Sequence, residues 1–161
     1  MPSARPLTTD AGRPIDLRLL APPDLPLFRD LQRMFAEAFE DVASYQSRPP
    51  SDSYVRRWLA SPNAIALAAV ADGGVVGGIA AYVLDKFEQE RSELYIYDLA
   101  VAERERRRGV ATALICELQA VAKRRGAYVI FVQADLGDHP AIALYESLGT
   151  REDVLHFDIP V

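Results

Sequence analysis

ELYIYDLAVAERERRRGVATALICEL, residues 93–118, decides how this chain folds. Residues 94–101 form a nearly continuous apolar and aromatic run, too short for a free-standing helix and rich in strand formers. A charged turn follows at residues 102–108. Gly109 then opens a segment with apolar residues at Val110, Leu114, Ile115, Leu118, Val121 and Ala122, which is helical spacing. The order is buried strand, basic turn, glycine, amphipathic helix. The first turn of a helix leaves backbone N–H groups without partners, and the helix dipole puts partial positive charge there. Gly109 lets a ligand approach the backbone, and the flanking arginines add charge, so the physics is that of a phosphate site at a helix start. On the turn alone, a solvated basic helix start fits equally well.

Downstream, residues 127–135 read as a second buried strand, after Gly126 as a helix-ending residue. Residues 137–140 read as a loop, with Pro140 suited to the first helical position of a helix over 141–148, which Gly149 stops. Residues 154–159 read as a last strand. Upstream, residues 15–20 are a short strand stopped by Pro22 and Pro23. Asp24 caps a helix with Leu27, Phe28, Leu31, Met34, Phe35, Ala38 and Phe39 on one side. Residues 42–50 read as a loop because of Pro49-Pro50, and residues 51–60 as a second helix. The apolar runs 64–71 and 75–84 flank Asp72-Gly73-Gly74, a strong hairpin signal. The hairpin accounts for Gly73 and Gly74, and with Gly77 and Gly78 they do not spell the dinucleotide pattern G-x-G-x-x-G. Residues 1–14 read as a flexible tail and 15–161 as one domain. The fold class is mixed α+β: antiparallel hairpins first, then strand-helix-strand-helix-strand, with a right-handed parallel crossover over 94–135.

Composition narrows the function classes. Half of the 161 residues are hydrophobic, enough for a full core, and the formal net charge is −5. That charge argues against nucleic acid as the main partner and is compatible with a cationic small molecule. The single cysteine, Cys116, excludes a disulfide within the chain and a cysteine-rich zinc site, and reads as a small core residue. His139 and His156 have no metal-ligand spacing, so no metal is expected. No run is long enough to span a membrane, and the N-terminus has no secretory core segment, so a cytoplasmic protein is expected.

Arg106-Arg107-Arg108-Gly109-Val110-Ala111 fits Gln/Arg-x-x-Gly-x-Gly/Ala, and residues 138–149 (DHPAIALYESLG) fit Asn-x-x-Ala-x-x-Leu-Tyr-x-x-x-Gly-Phe. Together they resemble the pyrophosphate loop and closing signature of the GNAT superfamily of N-acetyltransferases. Asp138 stands where Asn is usual and Thr150 where Phe is usual. The resemblance implies acetyl-CoA as cosubstrate. It also implies a central mixed sheet of about six to seven strands, splayed at its central parallel pair, with about four helices on its two faces. The segments FEDVASYQ (39–46), AAYVLDKFEQERSE (80–93), YIYDLAV (95–101), GAYVIFVQAD (126–135) and LHFDI (155–159) further resemble the aminoglycoside 3-N-acetyltransferases, the gentamicin-acetylating branch. That implies acetyl transfer to the 3-amino group of a 2-deoxystreptamine ring, and a homodimer, which is usual in the family.

The resemblance also assigns residues. Backbone N–H groups of residues 107–112, with Arg106, Arg107, Arg108, Gly109, Val110, Ala111 and Thr112, would hold the pyrophosphate. Leu99, Ala100 and Val101 would pair with the pantetheine amides as a peptide adds to a sheet edge, and the Leu99 N–H would face the developing oxyanion. Asp138 would lie at the cofactor, and Tyr145 would act there as general acid, since its ordinary pKa of about 10 keeps it protonated. Asp98 is the base candidate: along Leu94, Ile96, Asp98 and Ala100 it interrupts an apolar face, and a carboxylate is not buried there without a partner. Asp135 competes for that role. Glu40, Asp41, Asp98, Asp135, Glu152 and Asp153 are the candidate ligands for substrate ammonium groups, although exposed acids are commonly structural. The motifs alone also admit another amine as acceptor, such as a polyamine, a small metabolite, a lysine or a protein terminus. A non-catalytic acetyl-CoA-binding module is a further alternative.

Overall fold

The Asp72-Gly73 hairpin lies at the middle of the sheet. In the computed structural model, which describes residues 7–8 and 14–161, Ala64–Ala71 (β3) and Gly74–Asp85 (β4) pair antiparallel across it. Asp72 and Gly73 have φ values of 49° and 78°, the paired left-handed conformation that closes tight hairpins. Leu7–Thr8 (β1), Pro14–Leu19 (β2), Ser92–Val101 (β5) and Ala127–Val132 (β6) complete a sheet ordered β1-β2-β3-β4-β5-β6. Every neighbouring pair is antiparallel except β5 and β6, the parallel pair expected from the crossover.

The helices are Leu25–Ala38 (α1), Val42–Gln46 (α2), Asp52–Ala60 (α3), Val110–Arg124 (α4) and His139–Leu148 (α5). On one face Leu31, Met34 and Phe35 of α1, with Val55 and Leu59 of α3, pack on Ala66, Ala68 and Ala100. On the other, Val110, Leu114, Leu118 and Val121 of α4 pack on Leu67, Ile79, Leu94 and Ile96. This apolar set of α4 is the periodic one read from sequence, and most of it is fully buried. Gly77 and Gly78 let both helix layers reach β4. A Cβ on Gly77 would sit 3.1 Å from Val110 Cγ1, and one on Gly78 would sit 2.7 Å from the Leu67 carbonyl oxygen.

The structure corrects several expectations. Among the described residues the main sheet has five strands, β2 to β6, with the two-residue β1 added to β2, and there are five α-helices. The strand expected at 154–159 is not formed; those residues are exposed and carry no regular structure. Residues 42–46 form the short helix α2 rather than loop, because the Asp41 side chain accepts the Ser44 N–H at 3.2 Å and caps it. Cys116 is exposed, since it lies off the α4 stripe formed by Leu114, Ile115 and Leu118. The tail expected at residues 1–14 lies outside the described residues apart from Leu7–Thr8 and Pro14.

Candidate active site

Strands β5 and β6 part company halfway. Their parallel register runs from Ser92↔Ala127 to Ile96↔Val132, where β6 ends, while β5 continues to Val101. The second half of β5 therefore presents a row of backbone groups to an open cleft. That cleft is lined by Asp98, Leu99, Ala100 and Val101 on one wall and by Asp135, Asp138 and Tyr145 on the other. The row ends at the Gly109 turn.

The turn fits an anion. Gly109 precedes α4 with φ 78°, Arg107 has φ 59°, and the first-turn amides of α4 have no partner within the helix. Left-handed residues beside a helix start turn successive N–H groups toward one point, and the dipole adds to their charge. The three arginines divide the work. Arg106 donates from Nε to the Val101 carbonyl at 3.1 Å and from Nη2 to the Ala38 carbonyl at 3.5 Å, tying the turn to α1. Arg108 pairs at 3.2 Å with Glu105, a carboxylate only 5% exposed that anchors the turn from beneath. Arg107 has no side-chain partner among the described residues, so its charge is available to a ligand. The residues present therefore fit a pyrophosphate.

Asp98 does not share a face with Leu94 and Ile96, as strict alternation requires. The register steps from Ile96↔Ala81 to Asp98↔Ala80, which leaves Tyr97 as a bulged residue. Beyond the bulge the faces exchange: Leu94 and Ile96 pack on the α4 side with Leu99 and Val101, and Ala100 packs on the α1 side. Asp98, two residues before Ala100, is turned to that α1 side. There it is half-buried, and burial raises its pKa above the ordinary carboxylate value. Its neighbour is Tyr45 of α2, whose pKa is pushed up to about 12 by burial first, then by the charges of Asp98 and Asp41. Asp41, Tyr45 and Asp98 thus form one acidic corner. Sequence reading missed Tyr45 because α2 was read as loop; the cap pattern Asp41-x-x-Ser44 was the available signal.

The remaining candidates scatter. Tyr145 packs against the α4-side core, and burial, with Asp138 second, raises its pKa, so its hydroxyl stays protonated. Asp138 caps α5, accepting the Ala141 N–H at 3.1 Å. Asp135 is exposed at the cleft wall. Glu152 and Asp153 line the cleft further out, and Arg151 holds Asp153 at 2.8 Å. Glu40 and Asp41 are both exposed, and neither lines the cleft.

Comparison with known proteins fits this geometry. A family model described as "Acetyltransferase (GNAT) family" matches residues 28–150. An aminoglycoside acetyltransferase, HMB0005, from an uncultured soil metagenomic sample is 57% identical with a TM-score of 0.90, over 91% of this chain and 98% of that one. A second soil metagenomic aminoglycoside acetyltransferase, meta-AAC0020, solved with sisomicin, is 31% identical with a TM-score of 0.84, over 91% and 96%. The ribosomal-protein-alanine N-acetyltransferase of Brucella melitensis biovar Abortus 2308 is 26% identical with a TM-score of 0.70, over 91% and 99%. No curated protein sequence matches the chain.

Proposed function

The chain belongs to the GNAT acetyltransferase family, and from that premise we propose that it moves acetyl from acetyl-CoA to the 3-amino group of a 2-deoxystreptamine aminoglycoside. The observation that carries this reading is Asp98, a half-buried carboxylate lining the cleft at the unpaired half of β5, with the charges of Asp98 and Asp41 both acting on the neighbouring Tyr45. Aminoglycosides carry several ammonium groups, and two clustered carboxylates are suited to hold them. The likeness to two aminoglycoside acetyltransferases supports the same substrate class. The same reading puts the reaction in the cytoplasm, where acetyl-CoA is available.

Acetyl-CoA supplies the activated acetyl group as a thioester. Arg107 and the first-turn amides of α4 bind its pyrophosphate, with Arg106 and Arg108 holding the turn in shape. The row Leu99, Ala100 and Val101, which β6 leaves unpaired, takes the pantetheine arm as a partner strand apart from the Val101 carbonyl already held by Arg106, and the Leu99 N–H steadies the thioester carbonyl oxygen as charge grows there. Asp98 accepts the proton that the acceptor ammonium sheds before its nitrogen bonds to the acetyl carbon. Tyr145 donates its phenolic proton to the sulfur as the carbon–sulfur bond breaks, and the second proton, lost by the nitrogen as the amide forms, passes through solvent to restore the phenol. No covalent bond to the protein is needed; positioning two substrates in one cleft supplies much of the acceleration.

The test is release of coenzyme A thiol from acetyl-CoA with gentamicin, kanamycin, spermidine and an alanine-terminated peptide as separate acceptors. Release with gentamicin, and a product acetylated at the 3-amine, is expected. Release with spermidine or peptide alone replaces the substrate class. Acetyl-CoA binding without release on any acceptor replaces catalysis with a binding role.

A further inference from the structure

Tyr97, the bulged residue of β5, lines the cleft with its side chain 64% exposed. An aromatic ring open to that degree usually wanders among rotamers, and a ligand that fixes it must offset the lost freedom. Here two neighbours already hold it. The Tyr97 ring centroid lies 5.9 Å from that of Tyr82 at an interplanar angle of 87°, and 5.8 Å from that of Tyr95 at 75°. Both are the edge-to-face geometry that aromatic pairs prefer. The neighbours are anchored in turn. Tyr82 meets Trp58 of α3 at 6.0 Å, and Tyr95 stacks on Phe131 of β6 at 4.8 Å and donates its hydroxyl to Gln133 Oε1 at 3.0 Å. A large, flat side chain is thus kept in place at the cleft wall while most of it stays open.

The bulge also decides what stands beside that ring. In a regular strand residues 97 and 98 would point to opposite faces. The extra residue in β5 brings them to the same side. Tyr97 joins the Trp58 side of the sheet through Tyr82, and Tyr97 and Asp98 both act on Tyr45 of α2. An open aromatic ring and a half-buried carboxylate are therefore immediate neighbours in one cleft.

We propose that Tyr97 is a specificity-determining residue of the acceptor site: the C–H face of the ring that bears the reacting amine lies against its phenol, while that amine reaches Asp98. The inference rests on the aminoglycoside reading above and adds to it that the ring is recognised, not charge alone. Carboxylates attract ammonium groups but do not tell a ring from a chain, so a polyamine satisfies them equally well. A 2-deoxystreptamine ring carries its amino and hydroxyl groups equatorially and turns C–H bonds out of both faces. A tyrosine ring covers such a face, and ammonium groups at the rim come within reach of its π cloud. Because Tyr82 and Tyr95 already fix Tyr97, little side-chain freedom is lost when the acceptor docks.

Steady-state thiol release by the full chain and by its Tyr97→Phe, Tyr97→Leu and Tyr97→Ala variants tests this, with gentamicin as acceptor. Tyr97→Ala is expected to raise KM for gentamicin by about 5- to 30-fold, the reach of a cationic ring held over an aromatic face. Its kcat and its KM for acetyl-CoA are expected to stay within about twofold, since the lost contact is a binding contact of the acceptor. Tyr97→Phe should keep the wild-type KM, and Tyr97→Leu, apolar but not flat, should resemble Tyr97→Ala. The ratio of variant to wild-type KM should hold between about 0.05 and 0.5 M NaCl, because contact with a ring face is screened far less than a charge pair. A KM for gentamicin that Tyr97→Ala leaves unchanged overturns this inference alone. So does an equal rise in KM for acetyl-CoA, a Phe variant as poor as Ala, or a ratio that collapses in salt, which would make Tyr97 a mere support for Asp98. No thiol release with gentamicin by the wild-type chain overturns both this inference and the reading beneath it.

Discussion

Asp98 is a carboxylate whose pKa is raised by burial, so the folded chain keeps its proton to higher pH than the unfolded chain does. The stability tied to this group is full below the unfolded value and is lost as pH rises through the folded one. Asp98→Asn should therefore melt at or above the wild-type temperature at neutral pH, while kcat/KM falls by about 10²- to 10³-fold, the usual reach of a general base. A loss of stability there, with activity kept, would remove Asp98 from proton transfer. The same raised pKa moves the acid limb of the kcat/KM profile above the ordinary carboxylate range, because a base must be ionised to act. Tyr145→Phe removes a hydroxyl kept protonated by burial and by Asp138. Its kcat should drop by about 10²-fold with little change in KM for the acceptor, as read from steady-state rates. Equal kcat in the variant would leave Tyr145 a packing residue.

At the scale of elements, two glycines carry distinct predictions. Gly109 begins α4 at φ 78°, where an L side chain costs about 1–2 kcal/mol. Gly109→Ala should lower the melting temperature by several degrees and raise KM for acetyl-CoA, since the turn must relax at the pyrophosphate amides. A variant with unchanged KM would separate the turn from the cofactor. Gly78→Ala would press a Cβ against the Leu67 carbonyl and Leu31, so it should cost about 1–3 kcal/mol in denaturant unfolding with no specific effect on KM. Much at this scale was legible from the chain. The strand, turn and helix of residues 93–118 stand as read, because an apolar run, a glycine and a 3.6-residue stripe are local signals. What was not legible was relational. The bulge at Tyr97 is set by the partner strand β4, so alternation along β5 placed Asp98 on the wrong face. Capping by Asp41 outweighed the nearby prolines and made α2. Residues 154–159 have a strand pattern, but a strand also needs an edge to pair with.

The whole molecule is acidic, with a formal net charge of −5, yet its cleft is bordered by opposite charges. Asp98 lines the cleft at one end of the exposed half of β5, with Asp41 acting on the same Tyr45, and Arg107 lines it at the other end, beyond Val101. Such a cleft draws a polycation to one end and a polyphosphate to the other, and salt weakens both. Between about 0.05 and 0.5 M NaCl, over which the Debye length falls severalfold, KM for gentamicin should rise several-fold and KM for a monoamine acceptor much less. Equal responses would take the acidic corner out of substrate binding. The layers that frame this cleft also share β5 out of step, because Tyr97 is one residue too many for the ladder. Parity along the strand is thus a functional quantity in its own right. Inserting one residue between Ala80 and Ala81 of β4, opposite Tyr97, would keep every carboxylate, arginine and glycine discussed above, yet bring Leu94, Ile96 and Asp98 to a single phase. The chain would then have to bury an acid beneath α4 or turn its core residues outward, and either choice would cost it the site.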